Sequence, residues 1–408
     1  MTLLAITNGR LIDPVTEKIV KGGILIKDRH IIAVGNIDTT KADEIMDAKG
    51  HYIAPAIVDI GVFAIDLPAF ARGGITRAAL MPDQSPPLDE AALVQRAAQA
   101  GKPHAWIYPL AAASRGLAGK ELAEIGLMKM AGAKAVATGR QWIADSGLMY
   151  RLLNYARSLD LTVILHAEDG GLTAGCVATQ GEVASHLGLQ AAPAIAEAMA
   201  VARDLMLAEE TGAKIHFSQL TTARSFELIR AAKKRGVKVT CGINPAYFLL
   251  SEKQIEGFRT FARLSPPLRS EEDRLASIEA VRDGTIDIFC SAHDPRGPED
   301  KRLPFVDAQP GMAGAETLLA TALTMVHQGV IDLARLANLL SGNAVKLLGC
   351  AGGRLAEGEE ADLIIFDAEK SWKLDSAEMA AKAGNSPFDG ETLQGQVLHT
   401  IKGGQVLL

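Results

Sequence analysis

The sequence predicts an α/β protein: a (β/α)8 TIM-type barrel joined to a small β-sandwich domain assembled from both termini. Three observations carry that prediction. Eight strand-like apolar runs alternate with segments of 3.6-residue periodicity through the middle of the chain. Both ends instead alternate apolar and polar residues between Asn-Gly and Gly-Gly turn signals. The 408 residues also exceed the roughly 250 typical of a single barrel, which leaves material for a second, smaller domain.

The elements follow in order. LLAITNGRLID, the pair Gly22 and Gly23, and ILIKDRHIIAVG read as short antiparallel strands. The barrel strands are then AIVDIGVF, GITRAALMP, HAWIYPLAAA, AKAVATG, LTVILHAED, AKIHFSQLT, VKVTCGIN and IDIFCSAH. Helices fall between them. AAPAIAEAMAVARDLMLAEETG is helical in period, and TTARSFELIRAAKKRG opens on threonine N-caps and stops at Gly236. SEEDRLASIEAVRDG sets Ser270 three residues before Asp273, a capping-box spacing, and closes on Gly284. The last strands are ADLIIFD and GQVLHTIKGGQVLL. These boundaries give a composite β domain from 1–53 and 355–408 around a barrel at 54–354.

Composition narrows the function classes. Hydrophobic residues are 48% and charged residues 22%, ordinary for a compact globular chain and unlike disordered or fibrous ones. A net charge of −6 exerts no overall pull toward nucleic acid or an anionic membrane. Cys176, Cys241, Cys290 and Cys350 form no Cys-x-x-Cys pair and read as small buried hydrophobes. MTLLAITNGRLID has no basic stretch before its apolar run and no segment is long enough to span a bilayer, so cytoplasmic residence is expected. GRQW, GGLTAG and GMAGAE contain glycines without a Walker or dinucleotide pattern, and no G-x-S-x-G elbow is present. The basic run AAKKRG closes a predicted helix, where cations complement the carbonyl dipole.

Chemistry in such a barrel sits at the C-terminal ends of the strands. There the chain resembles the dihydroorotase family of cyclic amidohydrolases, nearly end to end. The resemblance rests on NGRLIDP with GGILIKDRHIIAVG, the glycines Gly73 and Gly74 before ITRAALMPDQSPP, LTVILHAEDG, SPPLRSEEDR, GMAGAETLLATAL and NSPFDGETLQGQVLHTIKGGQVL. It implies an amidohydrolase-superfamily fold and a zinc-activated water that opens or closes the cyclic amide of dihydroorotate. Such a zinc needs several nitrogen or oxygen ligands and an open position for water.

Matched residue by residue, the family's site is largely missing. The two histidines of the first strand correspond to Gly61 and Phe63, and the arginine-bearing loop beyond them shrinks to FAIDLPAFAR. The bridging acid of strand four falls on Thr138 and Gly139. His166 survives, although a lone strand-end histidine is more often a hydrogen-bonded core residue. On strand six the second histidine becomes Gln219, while His216 keeps the position that is not the primary ligand. On strand eight the metal-binding, proton-shuttling aspartate becomes Ala292, followed by His293, Asp294, Pro295 and Arg296. Asp294 is shifted by two residues, about 7 Å along a strand. Asp83 replaces the substrate-contacting asparagine and would repel an anion.

With ligand, base and substrate clamp lost together, the terms that accelerate amide opening are absent. The expectation is a non-catalytic dihydroorotase-like protein of pyrimidine biosynthesis without a cofactor, zinc included. It would be a structural partner of aspartate transcarbamoylase or self-associating, a role that the resemblance to inactive homologues implies. Whether the chain is an enzyme stays open at this point, because two other readings compete. One is a divergent cyclic amidohydrolase with a pocket rebuilt from His166, His293, Asp294 and Cys290. The other is a metabolite-binding module holding an anion through Arg296 or Arg269.

Overall fold

The computed structural model describes residues 3–408. The N-terminal strands are β1 (Leu3–Asp13), β2 (Lys18–Lys27), β3 (His30–Gly35), β4 (Glu44–Asp47) and β5 (Tyr52–Pro55). The barrel strands that follow are β6 (Ile57–Val62), β7 (Ile75–Leu80), β8 (Trp106–Pro109) continued by β9 (Ala111–Ala112), β10 (Val136–Ala137) and β11 (Val163–Leu165). After a small pair, β12 (Ala178–Thr179) and β13 (Ala191–Ala192), come β14 (Ile215–Phe217), β15 (Val239–Ile243) and β16 (Ile288–Phe289). The chain ends in β17 (Leu363–Lys373), β18 (Thr392–Lys402) and β19 (Gln405–Val406).

Strands from both ends of the chain share one sheet, ordered β19-β18-β17-β5-β1-β2-β3, with β4 on β1. Its two ends curl toward each other. Ile31 of β3 donates to the carbonyl of Glu359 at 2.9 Å, and Gly404, beyond β18, lies against Asp28 and Ile26. The enclosed face buries Ile6, Ile24, Ile53, Leu363, Ile365 and Ile401 in one apolar cluster. Period-two alternation produces this core, because every second side chain of a strand faces the same way. The sheet runs on to Pro55, two residues past the boundary expected at 53.

The barrel strands lie parallel in the order β6-β7-β8, and β9-β10-β11-β14-β15-β16. The amide of Phe63 donates to the carbonyl of His293 at 2.9 Å and joins the last strand to the first. Strands buried on both faces read as near-continuous apolar runs, which is why all eight stand out in the sequence. Small or slender side chains fill the lumen, among them Val58, Ile60, Ala79, Ala135, Ala137 and Ile164. The helices that periodicity predicts occupy Ile195–Thr211, Ala223–Lys234 and Glu271–Arg282. Thr222 caps the second by accepting from Ser225, and Ser270 caps the third by accepting from Asp273 at 3.2 Å.

Barrel and sheet are joined by buried charge. Arg77 of β7, 2% exposed, pairs with Glu360 at 2.7 Å and also with Asp362, both just before β17. Lys402 of β18 approaches Glu360 at 3.3 Å, and the Trp106 indole donates to the same carboxylate at 3.0 Å.

Candidate functional site: the barrel mouth

The C-terminal ends of the barrel strands converge on a mouth that is nearly solid. The space bounded by Ile60, Gly61, Phe63, Met81, Arg140 and His166 is about 20 Å3, room for a single water. Phe63 enters it from the end of β6, and the guanidinium carbon of Arg140 stands 3.6 Å from its ring centroid. Arg140 also donates to Asp294 at 2.6 Å. A cation thus occupies the place where a metal site would gather its anions.

The lost positions form this plug. Gly139 has a φ of 69°, and a side chain there would meet both Asp83 oxygens at 2.7 Å, so the carboxylate packs on a bare backbone. Asp83 accepts from the Arg140 amide at 2.9 Å, while its other oxygen has no partner. Thr138 accepts from the His166 amide at 3.1 Å. Gln219 accepts from the Asn244 amide at 3.1 Å, a structural bond that ties β14 to β15. Ala292 has a φ of 47°, a strained conformation for a residue with a Cβ. The turn it makes directs the His293 carbonyl to Phe63.

Of the residues expected to form a vestigial pocket, His166, His293, Asp294, Arg296, Asp83 and Arg269, the structure sets most against internal partners. His166 lines both the space at the mouth and the pocket beside it. The other five have internal partners, although one Asp83 oxygen stays unpaired. His293 is fully buried; its Nδ1 accepts from the Ala315 amide at 3.2 Å, which leaves Nε2 to donate to Asp66 at 3.4 Å. Asp294 takes Arg140 and Arg296, and Arg296 reaches Asp300 at 3.6 Å. Arg269, 3% exposed, binds Thr221, Thr179, Glu168 and Glu197. Cys290 donates to the Ser218 carbonyl at 3.7 Å, and burial pushes its thiol up, away from a reactive thiolate. Of the rebuilt quartet, His166 and Cys290 border the same space of about 20 Å3, whereas His293 and Asp294 do not line it.

His166 bonds Glu168 at 3.1 Å. Burial opposes the charge of Glu168, but His166 and Arg269 outweigh it and hold the carboxyl below its ordinary range. Glu197 accepts from the amides and hydroxyls of Thr221 and Thr222, at the start of the helix Ala223–Lys234. HAED and PPLR thus meet through Glu168 and Arg269, in a buried network that holds β11 to the segment before Glu271–Arg282. His216 likewise serves the scaffold. Its Nδ1 bonds Thr240 at 2.8 Å, and burial, with Lys233 nearby, lowers its pKa to about 3.

These side chains do not fit the zinc that the family resemblance implies. Among the described residues, no three His, Cys, Asp or Glu side chains are grouped to hold a metal ion. Phe63 and Arg140 fill the mouth where such ligands would converge. Phe70, from the shortened loop, packs behind it, 5.8 Å from the His293 ring.

Sequence reasoning missed Arg140, which lies in the GRQW run. Two acids without a metal, Asp83 and Asp294, call for a compensating cation, and that charge imbalance was the available signal. It also missed a side pocket of about 350 Å3 beside the plug, lined by Arg140, His166, Glu168, Cys176, Arg263 and Ser265.

Fold and site together define an amidohydrolase-type barrel with a composite β domain. A dihydro-orotase-like family model matches residues 49–225. A dihydroorotase of Syntrophotalea carbinolica is 39% identical, with 99% of this chain and 98% of that one aligned. A dihydroorotase-like protein of Pseudomonas aeruginosa is 36% identical over 99% of each chain. The L-hydantoinase (dihydropyrimidinase) from Arthrobacter aurescens superposes with a TM-score of 0.88 at 26% identity, covering 100% of this chain and 96% of that one. The chain belongs to the dihydroorotase-like family of the amidohydrolase superfamily. No helix among the described residues is long and apolar enough to cross a membrane.

Proposed function

We propose that this chain is a non-catalytic member of its family that serves pyrimidine biosynthesis as a structural partner of aspartate transcarbamoylase. One observation carries the reading: Arg140 covers Phe63 and pairs with Asp294 in the centre of the mouth, leaving about 20 Å3. Hydrolysis of a cyclic amide needs an activated water, a base and a clamp for the substrate, and each would have to displace that cation. The Glu168–Arg269–Glu197 network supports the same reading, since it pairs these charges with one another in the interior.

The test is co-purification of the chain with aspartate transcarbamoylase from the same cell, followed by sizing of each alone and together. A joint complex of defined mass is expected, and two independent peaks would contradict the proposal.

A second reading, a divergent cyclic amidohydrolase, draws on the side pocket that holds His166, Glu168 and Cys176. It predicts turnover of a cyclic amide that is lost in His166→Ala. A metabolite-binding role through Arg296 or Arg269 has less support, because both guanidinium groups are already engaged by carboxylates.

A further inference from the structure

The opposite end of the barrel is open where the mouth is closed. A cavity of about 710 Å3 lies under the starts of β11, β14 and β15, floored by the helix Asn343–Leu348. We propose that this cavity is a binding site for a small phosphate-bearing anion.

Five lysines line it: Lys129, Lys134, Lys214, Lys238 and Lys346. Only two carboxylates answer them, Asp160 and Asp287. Asp287 is already taken from outside the lining by Lys233 at 2.7 Å, and Asp160 is paired with Lys214 at 2.7 Å. Lys134 is 5.8 Å from the Tyr108 ring centroid, and Lys129 donates to the Leu159 carbonyl at 2.5 Å. Among the described residues, Lys129, Lys134, Lys238 and Lys346 have no salt bridge of their own. Lys129, Lys214, Lys238 and Lys346 are exposed and Lys134 is half-buried, so the cavity carries an excess of positive charge along its rim, and a bound polyanion offsets it.

Shape selects the kind of ligand. The volume falls within the roughly 300–1,000 Å3 of small-molecule sites, whereas nucleic acid and protein partners need extended surfaces. Lysine ammonium groups bind phosphate as point charges. Thr162 adds a hydroxyl, and Ile215, Val239 and Leu347 supply an apolar wall for the body of an organic phosphate. The site shares no lining residue with the mouth.

Isothermal titration of the full chain with inorganic pyrophosphate, at low and constant ionic strength, tests this. Saturable one-to-one binding is expected, weakened at least tenfold in Lys134→Gln/Lys346→Gln and unchanged in Lys18→Gln/Lys41→Gln. Lys238→Gln, at an exposed position, gives a second measure should the double variant melt early. Absence of saturable binding, or binding that survives both the Lys134/Lys346 and Lys238 changes, would overturn the assignment.

Discussion

The guanidinium carbon of Arg140 lies 3.6 Å from the centroid of the Phe63 ring, and the same group donates to Asp294 at 2.6 Å. This relationship closes the end of the barrel where the family performs its chemistry. It links β6, the segment after β10 and the segment after β16, three parts of the chain that sequence separates widely.

Replacing Arg140 by Ala uncovers Phe63 and leaves Asp294 to Arg296 alone. The pair is partly exposed on the arginine side, 25% against 8% for the aspartate, so the cost falls below that of a fully buried pair. Adding the cation–π contact gives about 1–3 kcal/mol. Urea denaturation of wild type and Arg140→Ala measures it, and an unchanged midpoint would show that the plug contributes nothing to stability.

Arg77→Met tests the joint between barrel and sheet. The substitution leaves Asp362, 3% exposed, and Glu360 facing Lys402 without their main counter-ion. Breaking a buried pair from one side costs about 3–5 kcal/mol. Thermal unfolding should shift down strongly, and a broadened or two-step transition would show the two bodies unfolding separately.

His216 makes stability depend on pH. Its folded pKa is lowered to about 3 from 6.5, so between those values the unfolded chain binds the proton and the native one does not. Stability from this group is full above pH 6.5 and is lost as pH falls toward 3, by about 1.4 kcal/mol per unit at most. Asp59 acts in the opposite sense. Burial raises it to about 6, against the bonds from Ser291, so its contribution declines as pH rises from 3.8 to 6. Comparing wild type with His216→Asn from pH 4 to pH 7 isolates the histidine. The wild-type advantage should shrink toward pH 4, and a constant difference would contradict the assignment.

Most of the scaffold was legible because its signals are local. Ile57–Val62 and Ile75–Leu80 are buried at every position and stand out as apolar runs, and Ser270 and Thr222 announce their helices. The identity of what was missing was legible too, since Gly61, Gly139, Gln219 and Ala292 are read one at a time. What replaced it was not. Arg140 meets Asp83 across 57 positions and Asp294 across 154, and no spacing rule links such residues. His293, Asp294 and Arg269 looked free because their partners Asp66, Arg140 and Glu168 come from distant segments. The pair β12–β13 escaped notice because two-residue strands carry no periodicity.

The closed mouth is tested most directly by metal content and dihydroorotate turnover, measured together on purified protein after equilibration with zinc. The account predicts zinc well below one ion per chain and no turnover above the buffer rate. Stoichiometric zinc accompanied by dihydroorotate turnover would contradict it, because both require that Arg140 leave the place it holds between Phe63 and Asp294.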